Sequence, residues 1–248
     1  MSRPRVAVLH APGTNRDGEA LVALEQAGAA AAIVPVGRDL HQFDAVVVPG
    51  GFSYGDALGA GTRLALELNE PLADFAAGGR PVLGICNGFQ ALVKAGLLPG
   101  CEGSAARRVT LAHNANGRFE CRWVHLAVEP DCRAGLHGVL PSIIACPVAH
   151  GEGRIAVDRP EQADDLARRG HVLFRYVGAD GLPANGRYPE NPNGSAADIA
   201  GLCNKDGNVW GLMPHPEDHI VDAQDPYGRR GRLGLALFQA LVDRARAN

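Results

Sequence analysis

The chain reads as an α/β protein: a doubly wound, mostly parallel sheet with helices on both faces and antiparallel strands added late. Three observations point there. The run at 44–49 is apolar on both faces rather than alternating, as in a strand covered on both sides. Helix-spaced apolar segments lie between strand-like runs. Glycine and proline clusters close the strands. The 248 residues show no internal repeat and no low-complexity linker, so the expectation is one domain over 1–248.

The elements follow in order. Arg5–His10 (RVAVLH) is a β-branched run ending at Ala-Pro-Gly. Residues 17–27 place Ala20, Leu21, Leu24 and Ala27 at helical spacing, with Gly28 to cap them. Residues 32–36 and 44–49 read as strands, the second bounded by Gly50-Gly51. A helix is expected over 64–76, a strand over 81–85 and a helix over 87–95. Beyond residue 100 the pattern changes. Phe119, Cys121 and Trp123 alternate with Glu120 and Arg122, as in a strand with one polar face. Short strands are expected at 139–146, 153–157 and 208–213, and an amphipathic closing helix at 231–246. The Gly-, Pro- and Asn-rich stretch 178–195 is too long for an ordinary connection and is either a functional or a mobile loop.

Composition excludes several function classes. A chain 46% hydrophobic and 21% charged is not disordered, and a net charge of -3 gives no domain-wide grip on nucleic acid. Six cysteines with no CxxC pair make neither a disulfide scaffold nor a structural zinc site. No apolar run approaches the ~20 residues of a membrane span, and 1–13 lack the core of a signal peptide. The expected compartment is cytoplasmic. With no Walker A pattern and no strand-linked GxGxxG, no nucleotide cofactor is expected on this chain, nor any metal.

The chemistry concentrates at Gly84-Ile85-Cys86-Asn87-Gly88, a G-x-C-x-G where a buried strand should turn into a helix. The hydrolase nucleophile elbow has this form. Glycines two residues to either side admit a tight turn without a Cβ clash. Backbone N–H groups and the helix dipole there favour a thiolate. An isolated cysteine is usually an inert core residue. The flanking glycines favour the functional reading for Cys86, whereas Cys101, Cys121, Cys132, Cys146 and Cys203 lack them. Gln90, one turn further along the helix, either binds a polar substrate over the thiol or is an ordinary helical glutamine.

A thiolate nucleophile needs a histidine. In Met213-Pro214-His215-Pro216-Glu217 two prolines hold the chain extended, so His215 and Glu217 should face one side, carboxylate beside imidazole. His150 and Glu152 share that spacing and compete for the role, among glycines that suit a binding loop. Pro49-Gly50-Gly51-Phe52 follows the third strand at its carboxyl end, where open α/β sheets bind ligands. Its N–H groups, with that of Asn87, could hold an oxyanion.

At these residues the chain resembles the class I, triad-type glutamine amidotransferases. The matching stretches are APGTNRD (11–17), PGGFSYGD (49–56), GICNGFQALVKAGLLPG (84–100), RFECRWV (118–124), PVAHGEGR (147–154), YPENPNGS (188–195), IAGLCN (199–204) and GLMPHPE (211–217). PGGFSYGD, RFECRWV and YPENPNGS are similar to a purine-biosynthesis branch of that family. The resemblance implies Cys86 as nucleophile, His215 as base and acid, and Glu217 as its orienter. It implies Gly51 and Asn87 as oxyanion donors, with Gln90, Gly50 and Phe52 binding glutamine. It further implies a γ-glutamyl thioester, and ammonia passed to a separate synthetase chain that aminates formylglycinamide ribonucleotide. ATP and Mg belong to that partner, and a small third subunit and docking by the branch-specific stretches are expected. The chain departs from the family pattern at Arg16, Ala57, Gly59 and Asp218. A stand-alone cysteine hydrolase and a non-catalytic binding subunit are the competing readings. The HPE stretch and branch-specific loops argue against the first, and the intact Cys-His-Glu set against the second.

Overall fold

The computed structural model describes residues 2–100 and 109–247, so Cys101 lies outside the described residues. The elements are β1 Arg5–His10, α1 Asp17–Gln26, β2 Ala30–Pro35, β3 Ala45–Val48, α2 Thr62–Ala77, β4 Val82–Ile85 and α3 Asn87–Lys94. They continue with β5 Val109–Ala112, β6 Glu120–Val128, β7 Ile144–His150, β8 Arg154–Val157 and α4 Glu161–Arg168. Last come β9 Val172–Val177, β10 Ile199–Cys203, β11 Val209–Leu212 and α5 Leu235–Ala247.

The main sheet runs β2-β1-β3-β4-β11-β10-β9-β6-β7. Its first five strands are parallel, and every pairing from β11 to β7 is antiparallel. β5 and β8 form a separate antiparallel ladder. The apolar runs are where the physics requires them: β3 and β4 are buried at every position. β2, the edge strand, is largely exposed, which its alanine-rich sequence tolerates. α2 buries Leu64, Leu68, Leu72 and Phe75 along one stripe, each worth about 1.5–3 kcal/mol when withdrawn from water. No described helix is long and apolar enough to cross a membrane.

The strand expected over 139–146 begins only at Ile144. Ahead of it, Val139 and Leu140 both donate to the Leu136 carbonyl, so the backbone is committed to a turn. Val139 is 64% exposed, with no sheet neighbour to cover it. The stretch 178–195 is a built loop: Asn191 and Asn193 are buried, and their amides donate to Ser195, Asp198 and Gly153. β5, α4, β9 and β10 have no counterpart among the elements expected from the sequence.

Strand order positions the site. β4 lies between β3 and β11, parallel to both, with Val48 opposite Gly84 and Leu212 opposite Ile85. The segments leaving the carboxyl ends of these three strands therefore emerge side by side. They are the Gly50-Gly51 turn, Cys86 and the His215 segment. β7 stands five places from β4 in the sheet. Its Ala149 carbonyl nevertheless lies 3.8 Å from the Cys86 sulfur, and its Pro147 carbonyl accepts from the His215 N–H at 2.8 Å. The antiparallel half must curl back over the carboxyl edge to bring them there.

Candidate active site

Cys86 sits in the turn between β4 and α3 with φ 51° and ψ -107°, a left-handed conformation rare for a side-chain-bearing residue. The turn is pinned at both sides: the Cys86 N–H donates to Leu212 O at 2.9 Å, and its carbonyl accepts from the Gln90 N–H at 3.0 Å. The two flanking glycines serve close approach, while the strained φ falls on the cysteine. A Cβ on Gly88 would stand 1.9 Å from the Val48 carbonyl oxygen, and one on Gly84 would stand 2.5 Å from Leu92. Only glycine lets α3 start this close to β3.

His215 and Glu217 meet as the extended proline-flanked segment suggested. His215 Nδ1 lies 2.7 Å from Glu217 Oε1, with both residues buried. Burial opposes a charge on the ring, but the Glu217 carboxylate and then the Cys86 thiol outweigh it and hold the imidazole pKa well above the ordinary histidine range. Cys86 is thus close enough to the ring to act on its charge. Among the described residues Nε2 has no hydrogen-bond partner, and catalytic contacts of this kind commonly align only around substrate. Gly50 packs directly on the ring: a Cβ there would lie 2.7 Å from His215 Cε1.

The 50–56 segment is tied to α3 through one side chain. Asn87 Oδ1 accepts from the Ser53 N–H at 3.1 Å and from the Ser53 hydroxyl at 2.6 Å, and its Nδ2 donates to Asp56 and Gln90. Among the described residues the backbone N–H groups of Gly51 and Asn87 have no acceptor, whereas the Phe52 N–H donates to Gly13 O. Two free donors thus flank the nucleophile, as an oxyanion would need.

A cavity of about 180 Å³ opens over the thiol, lined by Gly51, Phe52, Cys86, Gln90, His150 and Glu152 among others. It is smaller than a drug-sized pocket and suits an amino acid. Gln90 is buried and committed to protein partners, accepting from Asn87 and donating to the Glu152 carbonyl. Phe52 is half exposed at the cavity rim. His150 and Glu152 do not pair. The Glu152 carboxylate faces His113 at 3.6 Å, while His150 Nδ1 lies 3.0 Å from Asn114 Oδ1. Burial, and next the neighbouring charge of His215, push the His150 pKa down to about 4, so the ring is neutral at ordinary pH.

Asn114, the partner of His150, was not singled out from the sequence, and nothing in its spacing marks it. Two of the departures from the family pattern pair with each other: Arg16 Nε lies 3.3 Å from Asp218 Oδ2. Ala57 and Gly59 lie just beyond the turn 53–56, outside the Cys-His-Glu contacts.

Comparison with known proteins bears on the whole chain. Residues 3–243 match the family model described as a CobB/CobQ-like glutamine amidotransferase domain. The phosphoribosylformylglycinamidine synthase subunit PurQ of Treponema denticola is 46% identical over 97% of this chain and 98% of its own. The protein of that name from Thermomicrobium roseum is 45% identical over 89% of this chain and 91% of its own. Among solved structures, one chain of the PurLQS structure from Thermotoga maritima superposes with a TM-score of 0.75. It shares 33% identity over 98% of this chain and 99% of that one.

Proposed function

The chain belongs to the CobB/CobQ-like glutamine amidotransferase family, and from that membership we propose that it is the glutamine-hydrolysing subunit of a phosphoribosylformylglycinamidine synthase, acting in purine biosynthesis. The observation that carries the chemistry is that Cys86, on its strained turn at the cavity, stands close enough to the buried His215–Glu217 pair to act on the charge of its ring.

The reaction follows from the placement of these groups. The Cys86 thiolate attacks the side-chain carbonyl carbon of glutamine, and the Gly51 and Asn87 N–H groups receive the oxyanion. One such donor is worth about 10²–10³ in rate. The His215 imidazolium gives its proton to the departing nitrogen, so that ammonia leaves and a γ-glutamyl thioester remains. His215, now neutral, takes a proton from water as that water attacks the thioester. Glutamate departs, and the thiolate and imidazolium are restored. Glu217 holds the ring on Nδ1 and supports its charge throughout.

The ammonia passes to a separate ATP-dependent synthetase subunit, where ATP and Mg are held, and it aminates formylglycinamide ribonucleotide to the amidine. A small third subunit completes the assembly in the cytoplasm. The PurLQS likeness and the branch-specific stretches support this assignment. The test is amidine formation by the chain together with its synthetase partner, with glutamine or ammonium as nitrogen donor. The expected result is that Cys86→Ala abolishes the glutamine-dependent reaction and spares the ammonium-dependent one. Glutamine-dependent synthesis that survives in Cys86→Ala overturns the assignment.

A further inference from the structure

We propose that His150 reads the amide of the substrate: its Nε2 lone pair accepts a hydrogen bond from the N–H of a primary carboxamide held over Cys86. The inference rests on glutamine hydrolysis as the chemistry of this cavity.

The tautomer is fixed by hydrogen-bond accounting. Asn114 Nδ2 donates to the Arg118 and His150 carbonyls, both at 2.8 Å. Its Oδ1 must therefore be the atom that faces His150 Nδ1 at 3.0 Å and the Gly153 N–H at 3.2 Å. An amide oxygen only accepts, so Nδ1 carries the proton and Nε2 is bare. The ring is also held by its seat: a Cβ on Gly153 would lie 2.4 Å from both Cε1 and Nδ1. His150 is only 3% exposed, and its Nε2 is a buried acceptor with no hydrogen-bond partner among the described residues. Leaving such a group unpaired is costly, so it calls for a donor that arrives with the ligand.

His150 lines the cavity that holds Cys86. An acceptor in that place distinguishes substrate from product. The carboxamide of glutamine offers two N–H groups, whereas the carboxylate of glutamate offers none and meets the lone pair as a repulsion. A bare nitrogen therefore favours the amide on entry and favours release of the hydrolysed acid.

The test compares glutamine with glutamate γ-methyl ester, which presents the same carbonyl without an N–H. Glutamate release is followed with the chain assembled with its synthetase partner. His150→Asn keeps a polar group toward Asn114 but removes the acceptor at the Nε2 position; His150→Gln keeps an acceptor there. The expected result for His150→Asn is a fall of about tenfold or more in kcat/KM for glutamine, with the ester changed less than about twofold. His150→Gln should keep most of the amide preference. Equal losses on amide and ester, no loss on either, or a Gln variant that behaves like the Asn variant would each overturn the proposal. Wild-type protein that hydrolyses neither compound would instead remove the function on which it rests.

Discussion

At Cys86 the backbone is strained by the same turn that presents the thiol. Its φ of 51° is one that a β-carbon disfavours, at a cost of order 1–3 kcal/mol. Replacing the side chain separates strain from chemistry. Cys86→Ala keeps the β-carbon and Cys86→Gly removes it, so the glycine variant should be more stable by about 1 kcal/mol, read as a higher urea midpoint. Both should lose glutamine hydrolysis by at least about 10³-fold. An alanine variant as stable as the glycine variant would mean that the turn is not strained. Cys86, His215 and Glu217 were legible in the sequence because each signal is local: two glycines around a cysteine, two prolines around a histidine. The fixing of His150 was not legible, because Asn114 stands 36 residues away and carries no motif. His150 and Glu152 share the spacing of His215 and Glu217, yet the glycines between and after them let the chain turn. The two side chains then take different partners.

Three adjacent parallel strands, β3, β4 and β11, deliver the donor turn, the nucleophile and the base to one edge. Their continuous apolar runs made that half of the fold readable, since a strand buried on both faces has a distinctive composition. The antiparallel half was harder. β9 and β10 pair across distances that no local pattern encodes, and α4 is eight residues long with only Ala163 and Leu166 buried. The curl that brings β7 over Cys86 has no sequence signature. At this scale the tightest contact is α3 against β3, so Gly88→Ala should be severe. With its Cβ 1.9 Å from Val48 O, either the helix or the strand must move. A loss of at least about 3 kcal/mol, or failure to fold, is expected in denaturant titration. Gly96→Ala is the control, because that glycine has φ +77° but open space, and it should cost about 1 kcal/mol. Equal costs at the two positions would show that conformation, rather than the close approach, makes Gly88 necessary.

Across the whole molecule, two buried histidines at one site pull the pH dependence of stability in opposite directions. His150 has a pKa pushed down to about 4, so the folded state resists its protonation while the unfolded chain protonates near 6.5. Its contribution is complete above pH 6.5 and is lost as pH falls from there through 4, by up to about 3 kcal/mol. His215 has the reverse sign. Its pKa is raised by Glu217 and Cys86 against the opposing effect of burial. Its contribution is complete below pH 6.5 and is lost as pH rises through the folded value. The two contributions are both complete only near pH 6.5, where stability should fall off in either direction from this pair. Single variants resolve the limbs. The stability difference between wild type and His150→Asn should shrink by about 3 kcal/mol on going from pH 6.5 to 4. That between wild type and Glu217→Gln should shrink on the alkaline side instead. Urea unfolding across the pH range measures both. Acid and alkaline limbs that shrink together in either variant would mean that the two histidines titrate as one unit, and that the neutral ring and the charged ring are not held apart by their separate partners, Asn114 and Glu217.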